Sequence, residues 1–364
     1  MLKASCPDSS WQNKNETFVT EFIFLGLSSQ PRVQMILFFV FLAFYLFSMF
    51  GNIIIILVVG TDFRLHTPMY FFLINLSILD ISYTSTNVPQ MLINLLTRRK
   101  TISFWGCATQ MYFSLAFGMT ECFLLGVMAY DRYVAICQPL QYTVIMNGKI
   151  CIRLASFCWS SSLVSSMIIN TFTLQLPFCG LNILNHYFCE VPAVLTLVCA
   201  DTFLTEMVVF VFSIIIVFVP FLLIIVSYGY IFRAVLQIQT AKGRTKAFST
   251  CASHLIVVVI FFGTAIFTYM RPSLKSAQDR DKVSAVFYTI IMPMLNPLIY
   301  SLRNKDVKSS LRRSLTLLRS SGASKRVHDK VGSGRKAVLE ISLADVTDLL
   351  IEEPKGFLEQ GWET

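Results

Sequence analysis

The stretch that decides the fold is MAYDRYVAIC (Met128–Cys137), which follows an apolar run from Met111 to Val127. It places an acid, Asp131, beside a base, Arg132, where that run should meet water. A charged pair is costly in lipid, so it lies at the end of a membrane helix or faces the interior of a helix bundle. The stretch therefore predicts the end of a membrane-spanning helix.

The composition supports a membrane protein. Of 364 residues, 55% are hydrophobic and 14% are charged, and the mean hydropathy is +0.63. A soluble globular chain carries about 25% charged residues. The net charge of +9 could suggest nucleic acid, but the Lys and Arg residues lie in short loops and in the tail. We interpret them as charges that flank a lipid bilayer, and we expect no nucleic-acid partner.

Apolar runs recur along the chain at the length that a bilayer requires, roughly 20 residues or more each. Runs this long must be helices, because a lipid-facing backbone has to satisfy its own hydrogen bonds. The sequence thus predicts an all-α membrane protein, a bundle of seven transmembrane helices with its two termini on opposite sides. The predicted helices are Gln34–Val59, Met69–Leu96, Phe104–Met128, Cys151–Gln175, Phe203–Phe232, Ala247–Met270 and Val283–Leu302.

The orientation follows from a glycosylation motif more than from charge. The excess of Lys and Arg on the proposed cytoplasmic side is modest, whereas Asn15-Glu16-Thr17 can be glycosylated at Asn15 only if the N-terminus is lumenal. We expect an extracellular segment over residues 1–33, a receptor domain over 34–303 and a cytoplasmic C-terminus. Residues 304–320 predict a basic amphipathic helix on the inner leaflet, and residues 321–364 predict a disordered tail.

Cysteines on the proposed outer side can be oxidised. Cys107 opens the third helix, while Cys179, Cys189 and Cys199 lie in the long loop between helices four and five. A bridge across such a loop would stabilise it by roughly 2–4 kcal/mol. These four cysteines allow three pairings, among which the sequence alone does not choose.

Six short motifs occur in an order that resembles the olfactory receptor family, in its tetrapod-type division of the rhodopsin-like G-protein-coupled receptors. The resemblance extends from about Asn15 to Lys308; the residues that follow have no counterpart in the family. It implies the disulfide pairs Cys107–Cys189 and Cys179–Cys199. The motifs are LHTPMY (Leu65–Tyr70), NLS (Asn75–Ser77) with Asp80, MAYDRYVAIC (Met128–Cys137), Ser227-Tyr228, KAFSTCASH (Lys246–His254) and PMLNPLIY (Pro293–Tyr300).

The family also implies a function. A member detects a small odorant at the plasma membrane of olfactory cilia. It then activates a heterotrimeric stimulatory olfactory-type G protein, which raises cyclic AMP. No prosthetic cofactor is implied.

The resemblance assigns a G-protein switch to the proposed cytoplasmic end. Asp131 is expected to hold Arg132 through a charge-assisted pair at rest, and Arg132 then meets the G protein when the pair is released. The family adds Tyr133 from the same motif, and Tyr228 and Tyr300 as hydroxyl partners. The alternative is a simple interfacial anchor.

A second polar group is expected at mid-membrane depth. Asp80 and Glu121 are carboxylic acids that need partners or protons there, and Asn52 and Asn296 are amides on neighbouring helices. One hypothesis is that the acids share a proton or a cation and form a bistable core. The other is a purely structural hydrogen-bond network.

The predicted ligand pocket begins on helix three, where i, i+3, i+4 spacing gathers residues on one face. It is apolar with a few hydroxyl groups and has Ser114 where an amine receptor would have Asp, so it predicts a small, neutral, mostly apolar ligand held by one or two hydrogen bonds. Ordinary helix packing is the alternative for any one of these residues. The pocket comprises Met111, Ser114, Leu115, Gly118 and Met119, and, by resemblance, Phe212, Ser213, Ile216, Phe262, Ala265, Tyr269, Val286 and Thr289.

Other function classes fit less well. An enzyme is disfavoured, because the sequence contains no His-Glu-x-x-His, P-loop or Gly-x-Ser-x-Gly motif. A transporter would show an internal repeat, and none is visible. A rhodopsin-like receptor for a peptide or an amine is the remaining rival, which the chemical class of the agonist would distinguish.

Overall fold

The structure is a computed structural model, and it describes residues 19–178, 182–269, 278–303, 307–313 and 316. Long helices dominate these residues. The shorter elements are the helices Tyr142–Ile145 (α4) and Val191–Leu195 (α6) and the 3-10 turns Phe63–Leu65 and Pro139–Gln141.

Seven long helical segments follow one another within the described residues, and each overlaps one of the predicted apolar runs. The fifth and the seventh are each interrupted by a π-turn. The segments are Pro31–Thr61 (α1), Pro68–Leu96 (α2), Phe104–Cys137 (α3), Gly148–Leu174 (α5), Phe203–Ser213 (α7) with Val219–Leu236 (α8), Ala241–Tyr269 (α9), and Gln278–Val286 (α10) with Met292–Arg303 (α11).

Local signals in the sequence explain where several helices begin. Pro31 and Pro68 stand at the first turn of α1 and α2, where the missing N–H of proline costs nothing. The side chains of Ser103 and Asn147 accept hydrogen bonds from the backbone N–H groups of Gly106 and Ile150. These bonds satisfy donors that the first turn of α3 and α5 would otherwise leave unpaired.

Several segments are long and apolar enough to cross a membrane: Pro31–Thr61, Phe104–Cys137, Gly148–Leu174, Phe203–Leu236 and Lys282–Tyr300, with Cys251–Ile266 as a shorter apolar stretch of α9. Their outward faces carry exposed large hydrophobic side chains, such as Phe39, Phe50 and Leu222. So much exposed apolar surface is atypical of a soluble protein. Lipid is the solvent that suits it.

The centre of the bundle is α3. It packs against α2, α5, α8 and α9, and Leu124, Leu125 and Ala129 on it are fully buried. Buried polar residues share the same interior, among them Asp80 and Glu121. The interior therefore holds polar groups beside apolar ones, while the outer face carries large apolar side chains.

A small three-stranded sheet closes one end, which we call the sheet end. Its order is β2-β1-β3: β1 (Glu21–Phe24) pairs antiparallel with β2 (Thr101–Ser103) and parallel with β3 (Ile183–Leu184). Phe22 of β1 is buried, and its ring centroid lies 5.8 Å from that of Phe178. No pattern in the sequence predicted this sheet.

A disulfide joins Cys107, in the first turn of α3, to Cys189 in the loop before α6, with the Cα atoms 5.4 Å apart. It is the first of the two pairs that the resemblance implies. Cys199 is also disulfide-bonded, and its expected partner Cys179 lies outside the described residues, as do Asn15 and the tail over residues 321–364. The loop is thus fixed over the end of α3.

At the opposite end, which we call the Arg132 end, residues 307–313 are helical. Val307 and Ser310 on this helix are buried. Arg313 donates to Asp62, which directly follows α1, at 2.7 Å. The helix is therefore held against the first helical segment, as an amphipathic helix lying along the bundle end would be.

Candidate functional site

A cavity of about 130 Å³ lies between α3, α7 with its following π-turn, and α9. Apolar side chains form most of its wall, with a few polar ones. An apolar cavity of about 150 Å³ holds a molecule the size of benzene, so this cavity suits a small ligand. Its lining residues are Tyr83, Met111, Ser114, Leu115, Gly118, Met119, Cys122, Ile169, Phe188, Cys189, Glu190, Val191, Pro192, Val209, Ser213, Ile216, Val217, Phe261, Ala265 and Tyr288.

The structure brings many of the predicted pocket residues to this cavity: Met111, Ser114, Leu115, Gly118, Met119, Ser213, Ile216 and Ala265. Four of the others do not line it. Phe262 is buried against Phe221, with ring centroids 5.3 Å apart, and Thr289 lies 3.0 Å from the hydroxyl of Tyr187. Phe212 and Val286 pack among other hydrophobic residues, and the side chain of Tyr269 lies outside the described residues.

The π-turn Ile214–Phe218 contributes part of the cavity wall. A π-turn spaces its backbone hydrogen bonds by five residues rather than four, so the side chains after it are rotated relative to an uninterrupted α-helix. Consecutive residues, Ile216 and Val217, both line the cavity. With Ser213 they follow the same i, i+3, i+4 spacing as the cavity residues of α3.

Sequence reasoning missed the loop residues that cover the cavity, Phe188 to Pro192. One signal could have found them. The implied disulfide places Cys189 beside Cys107 at the start of α3, so the neighbours of Cys189 must lie over the same end of that helix. Tyr288, from the seventh segment, was also missed.

A hydrogen-bonded pair links the cavity wall to α2. The Oγ of Ser114 donates to Oδ1 of Asn87 at 2.7 Å, and Nδ2 of Asn87 donates to the backbone carbonyl of Tyr83 at 3.1 Å. Ser114 and Asn87 are both buried. The position of the Ser114 hydroxyl is therefore set by α2.

At the rim of the cavity, Glu190 accepts a hydrogen bond from the hydroxyl of Tyr288 at 2.9 Å. Nε2 of His186 lies 3.6 Å from the same carboxylate. Burial, assisted by the positive charge of Lys282, lowers the pKa of His186 to about 4. The backbone N–H of Phe188 lies 3.4 Å from Nδ1 of the same ring. The imidazole is therefore neutral at pH 7, even though the Glu190 carboxylate lies 3.6 Å from it.

Deeper in the bundle, Nδ2 of Asn296 donates to both carboxylate oxygens of Asp80, at 3.1 and 3.0 Å. Glu121 is close enough to interact electrostatically with Asp80. Among the described residues, neither oxygen of Glu121 forms a hydrogen bond of normal length and angle, although Asn296 is close enough to interact with it. Asn52, the remaining predicted member, donates instead to the carbonyls of Ser48 and Pro293.

At the Arg132 end, Asp131 accepts a hydrogen bond from the hydroxyl of Tyr142 at 2.8 Å. Among the described side chains, Asp131 and Arg132 do not form the expected ion pair, which would need a nitrogen and an oxygen within 4 Å of each other. Arg132 is 8% exposed. Its guanidinium thus lies buried without forming the resting pair that the sequence analysis anticipated.

Tyr228 of α8 and His254 of α9 form a contact that crosses three helices. The hydroxyl of Tyr228 lies 2.8 Å from Nδ1 of His254, and Nε2 of the same ring lies 3.1 Å from the carbonyl oxygen of Leu125 on α3. The other predicted members of the switch are less connected. Tyr133 accepts from Gln138 at 3.3 Å, and the buried hydroxyl of Tyr300 has no partner among the described residues.

Comparisons with known proteins agree on one family. A family model described as olfactory receptor matches residues 41–317. The chain is 53% identical over 302 residues to human Olfactory receptor 2G3, covering 83% of this chain and 98% of the relative. It is 51% identical to human Olfactory receptor 2D2 over 302 residues, which cover 83% of this chain and 97% of the relative. To mouse Olfactory receptor 5AR1 it is 49% identical over 300 residues, 82% of this chain and 97% of that protein.

Proposed function

The chain belongs to the olfactory receptor family of seven-helix G-protein-coupled receptors, and from that premise we propose that it detects a small, neutral, mostly apolar volatile molecule. The observation that carries this proposal is the cavity beside α3. A pocket of this kind binds its ligand mainly by burying apolar surface, and a few placed polar groups fix the orientation. It is the site that an odorant would occupy.

The size of the cavity limits the ligand. At about 130 Å³, it suits a molecule close to benzene in size, with roughly five to eight non-hydrogen atoms. The carboxylate of Glu190 at the rim would repel an acid. A neutral volatile compound satisfies both conditions.

We place the sheet end outside the cell and the Arg132 end in the cytoplasm, with the receptor in the plasma membrane of olfactory cilia. In this orientation Asn15 is available for glycosylation. Cys179 pairs with Cys199 in the same oxidising compartment as the Cys107–Cys189 bond. The basic helix beyond α11 then lies on the inner leaflet of the bilayer.

Ligand binding and G-protein coupling are linked through a shift between two conformers. A ligand can shift that equilibrium only by its differential affinity for the two states. The closed state is supported by the contact of Tyr228, His254 and Leu125, which ties α8, α9 and α3 together. In the open state, α9 moves outward and Arg132 meets a heterotrimeric stimulatory olfactory-type G protein, which raises cyclic AMP.

The polar core would take part in the same shift. Asp80 has Asn296 as a donor, whereas Glu121 forms no hydrogen bond of normal length and angle among the described residues. An unpaired buried carboxylate is costly, so Glu121 would take up a proton or share a cation with Asp80. Rearrangement of this group would favour one conformer over the other.

The experiment is a cyclic AMP assay in cells that co-express an olfactory-type stimulatory G protein, with a panel of neutral volatile compounds. Receptor at the surface is quantified by labelling, and Arg132→Ala serves as the coupling-deficient control. We expect a response to some compounds that the variant loses at equal surface level. If the receptor reaches the surface and responds only to peptides or amines, the proposal is contradicted.

A further inference from the structure

The direction of one hydrogen bond at the cavity is determined by its chemical partners. Nδ2 of Asn87 faces the backbone carbonyl of Tyr83, which can only accept, so the amide oxygen of Asn87 must be the atom that faces Ser114. The contact between Ser114 and Asn87 measures 2.7 Å. Because an amide oxygen is an acceptor, the serine hydroxyl must be the donor.

Ser114 therefore presents only an acceptor to a ligand. A serine hydroxyl carries one hydrogen and two lone pairs, and its hydrogen is already used by Asn87. Ser114 also lines the cavity. A ligand oxygen without a hydrogen would face these lone pairs and be repelled, whereas a ligand hydroxyl could donate to them.

Tyr288 and Glu190, at the rim of the cavity, also present hydrogen-bond acceptors to a ligand. Tyr288 uses its hydrogen on Glu190 at 2.9 Å, and an ionised carboxylate can only accept. Ser213 is different, since its hydroxyl forms no hydrogen bond with any described residue and can donate or accept. A ligand hydroxyl could thus donate to Ser114 and still accept from a second group.

From this arrangement we infer that the receptor selects small alcohols and phenols over ethers and ketones of the same shape. Ser114 is the specificity-determining residue, because its Oγ accepts the ligand's hydrogen. Asn87 is a positioning residue, because it fixes the direction of that hydroxyl. The inference rests on the proposed odorant-receptor function and adds the chemical class of the ligand.

The expected preference is modest but measurable. A neutral hydrogen bond that one ligand can make and another cannot is worth about tenfold in potency. The apolar part of the ligand contributes equally in both cases. Comparison of molecules that differ only at the oxygen therefore isolates the contribution of Ser114.

The test is a cyclic AMP concentration-response series with alcohols and phenols of about five to eight non-hydrogen atoms, each beside an ether and a ketone that have the same number of non-hydrogen atoms. Wild type, Ser114→Ala and Ser213→Ala are compared at equal surface level. We expect the hydroxyl compounds to be about tenfold more potent on the wild type. Ser114→Ala should abolish this preference. Ser213→Ala should change all classes by the same factor, because its hydroxyl can donate to each of them.

Several outcomes would overturn the inference. Equal or higher potency of ethers and ketones on the wild type would do so, as would a preference that survives in Ser114→Ala; the odorant-receptor function would stand in both cases. Silence of the hydroxyl compounds alone would also refute the ligand class while leaving that function intact. Silence of every class from receptor shown to be at the surface would reject the inference and the proposed function together.

Discussion

The hydroxyl of Tyr228 lies 2.8 Å from Nδ1 of His254, while Nε2 of the same imidazole lies 3.1 Å from the backbone carbonyl of Leu125. A carbonyl oxygen only accepts, so Nε2 carries the hydrogen and Nδ1 accepts from Tyr228. His254 is thereby a neutral bridge between α8 and α3. Outward movement of α9 has to break both bonds.

Loss of this bridge should raise signalling in the absence of ligand. His254→Phe keeps an aromatic ring but removes both hydrogen bonds, each worth about 1 kcal/mol, so we expect basal cyclic AMP to rise by up to about thirtyfold. The measurement is ligand-free cyclic AMP per surface receptor. Val259→Ala, at an exposed position on the same helix, is the matched control. Basal signal equal in both variants would show that the bridge does not hold the closed state.

Gly118 gives a direct test of the cavity. A Cβ at Gly118 would meet no described atom within 4 Å, so Gly118→Ala should fold normally and occupy space on the cavity wall. We expect the potency of the largest agonists to fall about tenfold and that of the smallest to change little, because one methyl group in a binding pocket has about this effect.

Gly60→Ala is the matched control for that experiment, since its Cβ would also meet no described atom within 4 Å and Gly60 does not line the cavity. Agonist potencies should match those of the wild type. If Gly118→Ala leaves the ranking of agonists by size unchanged, the cavity beside α3 is not the binding site.

Glu121→Gln tests the polar core. The substitution keeps the shape of the side chain but removes its ability to exchange a proton or hold a cation. We expect the dependence of the agonist response on pH or on sodium concentration to change, measured as concentration-response curves at several values of each. A variant with the same pH and ion dependence as the wild type would favour the purely structural network of Asp80, Asn296 and Asn52.

His186 predicts a loss of stability in acid. Its pKa in the folded state is about 4, below the ordinary value of 6.5. Between pH 4 and pH 6.5 the unfolded chain therefore binds more protons at this residue than the folded protein does. The contribution of His186 to the free energy of unfolding is therefore fully present above about pH 6.5. It decreases as the pH drops toward 4, and at pH 5 it is lower by about 2 kcal/mol. The groups that face the ring are Tyr187, Glu190 and Lys282.

The measurement is the melting temperature of the purified receptor at pH 7.5 and pH 5, for the wild type and for His186→Phe. The phenyl ring preserves the stacking of His186 on Tyr187, whose ring centroids are 4.8 Å apart, but it does not titrate. We expect the wild type to lose more stability in acid than the variant. An equal loss in both would mean that other groups cause the acid sensitivity.

The sequence predicted the helices well, because each apolar run has to span a bilayer and only a helix can do so. The seven-helix fold and the family are confirmed. These features depend on composition and length, which a sequence displays directly. The predicted end of the third helix at Met128 is wrong, because α3 continues to Cys137 and contains the pair Asp131–Arg132; a charged pair at the edge of the bilayer does not stop a helix that extends into water.

The details of the site depend on contacts between distant segments. Phe261 lines the cavity, and Phe262, which the resemblance implied, is buried against Phe221; the resemblance did not distinguish these neighbours. The hydrogen bond between Ser114 and Asn87 joins two helices, and no local sequence pattern predicts it. The sheet formed by β1, β2 and β3 likewise joins three segments far apart in the chain.

The most direct test of the account is nucleotide exchange on a purified olfactory-type stimulatory G protein, measured with purified receptor and an agonist from the volatile panel. We expect the agonist to accelerate exchange with the wild type but not with Arg132→Ala. The two receptors should bind the agonist about equally, because Arg132 lies outside the cavity. An agonist that binds without accelerating exchange, or that accelerates it equally with both receptors, would contradict the claim that this chain is an odorant-gated receptor acting through Arg132.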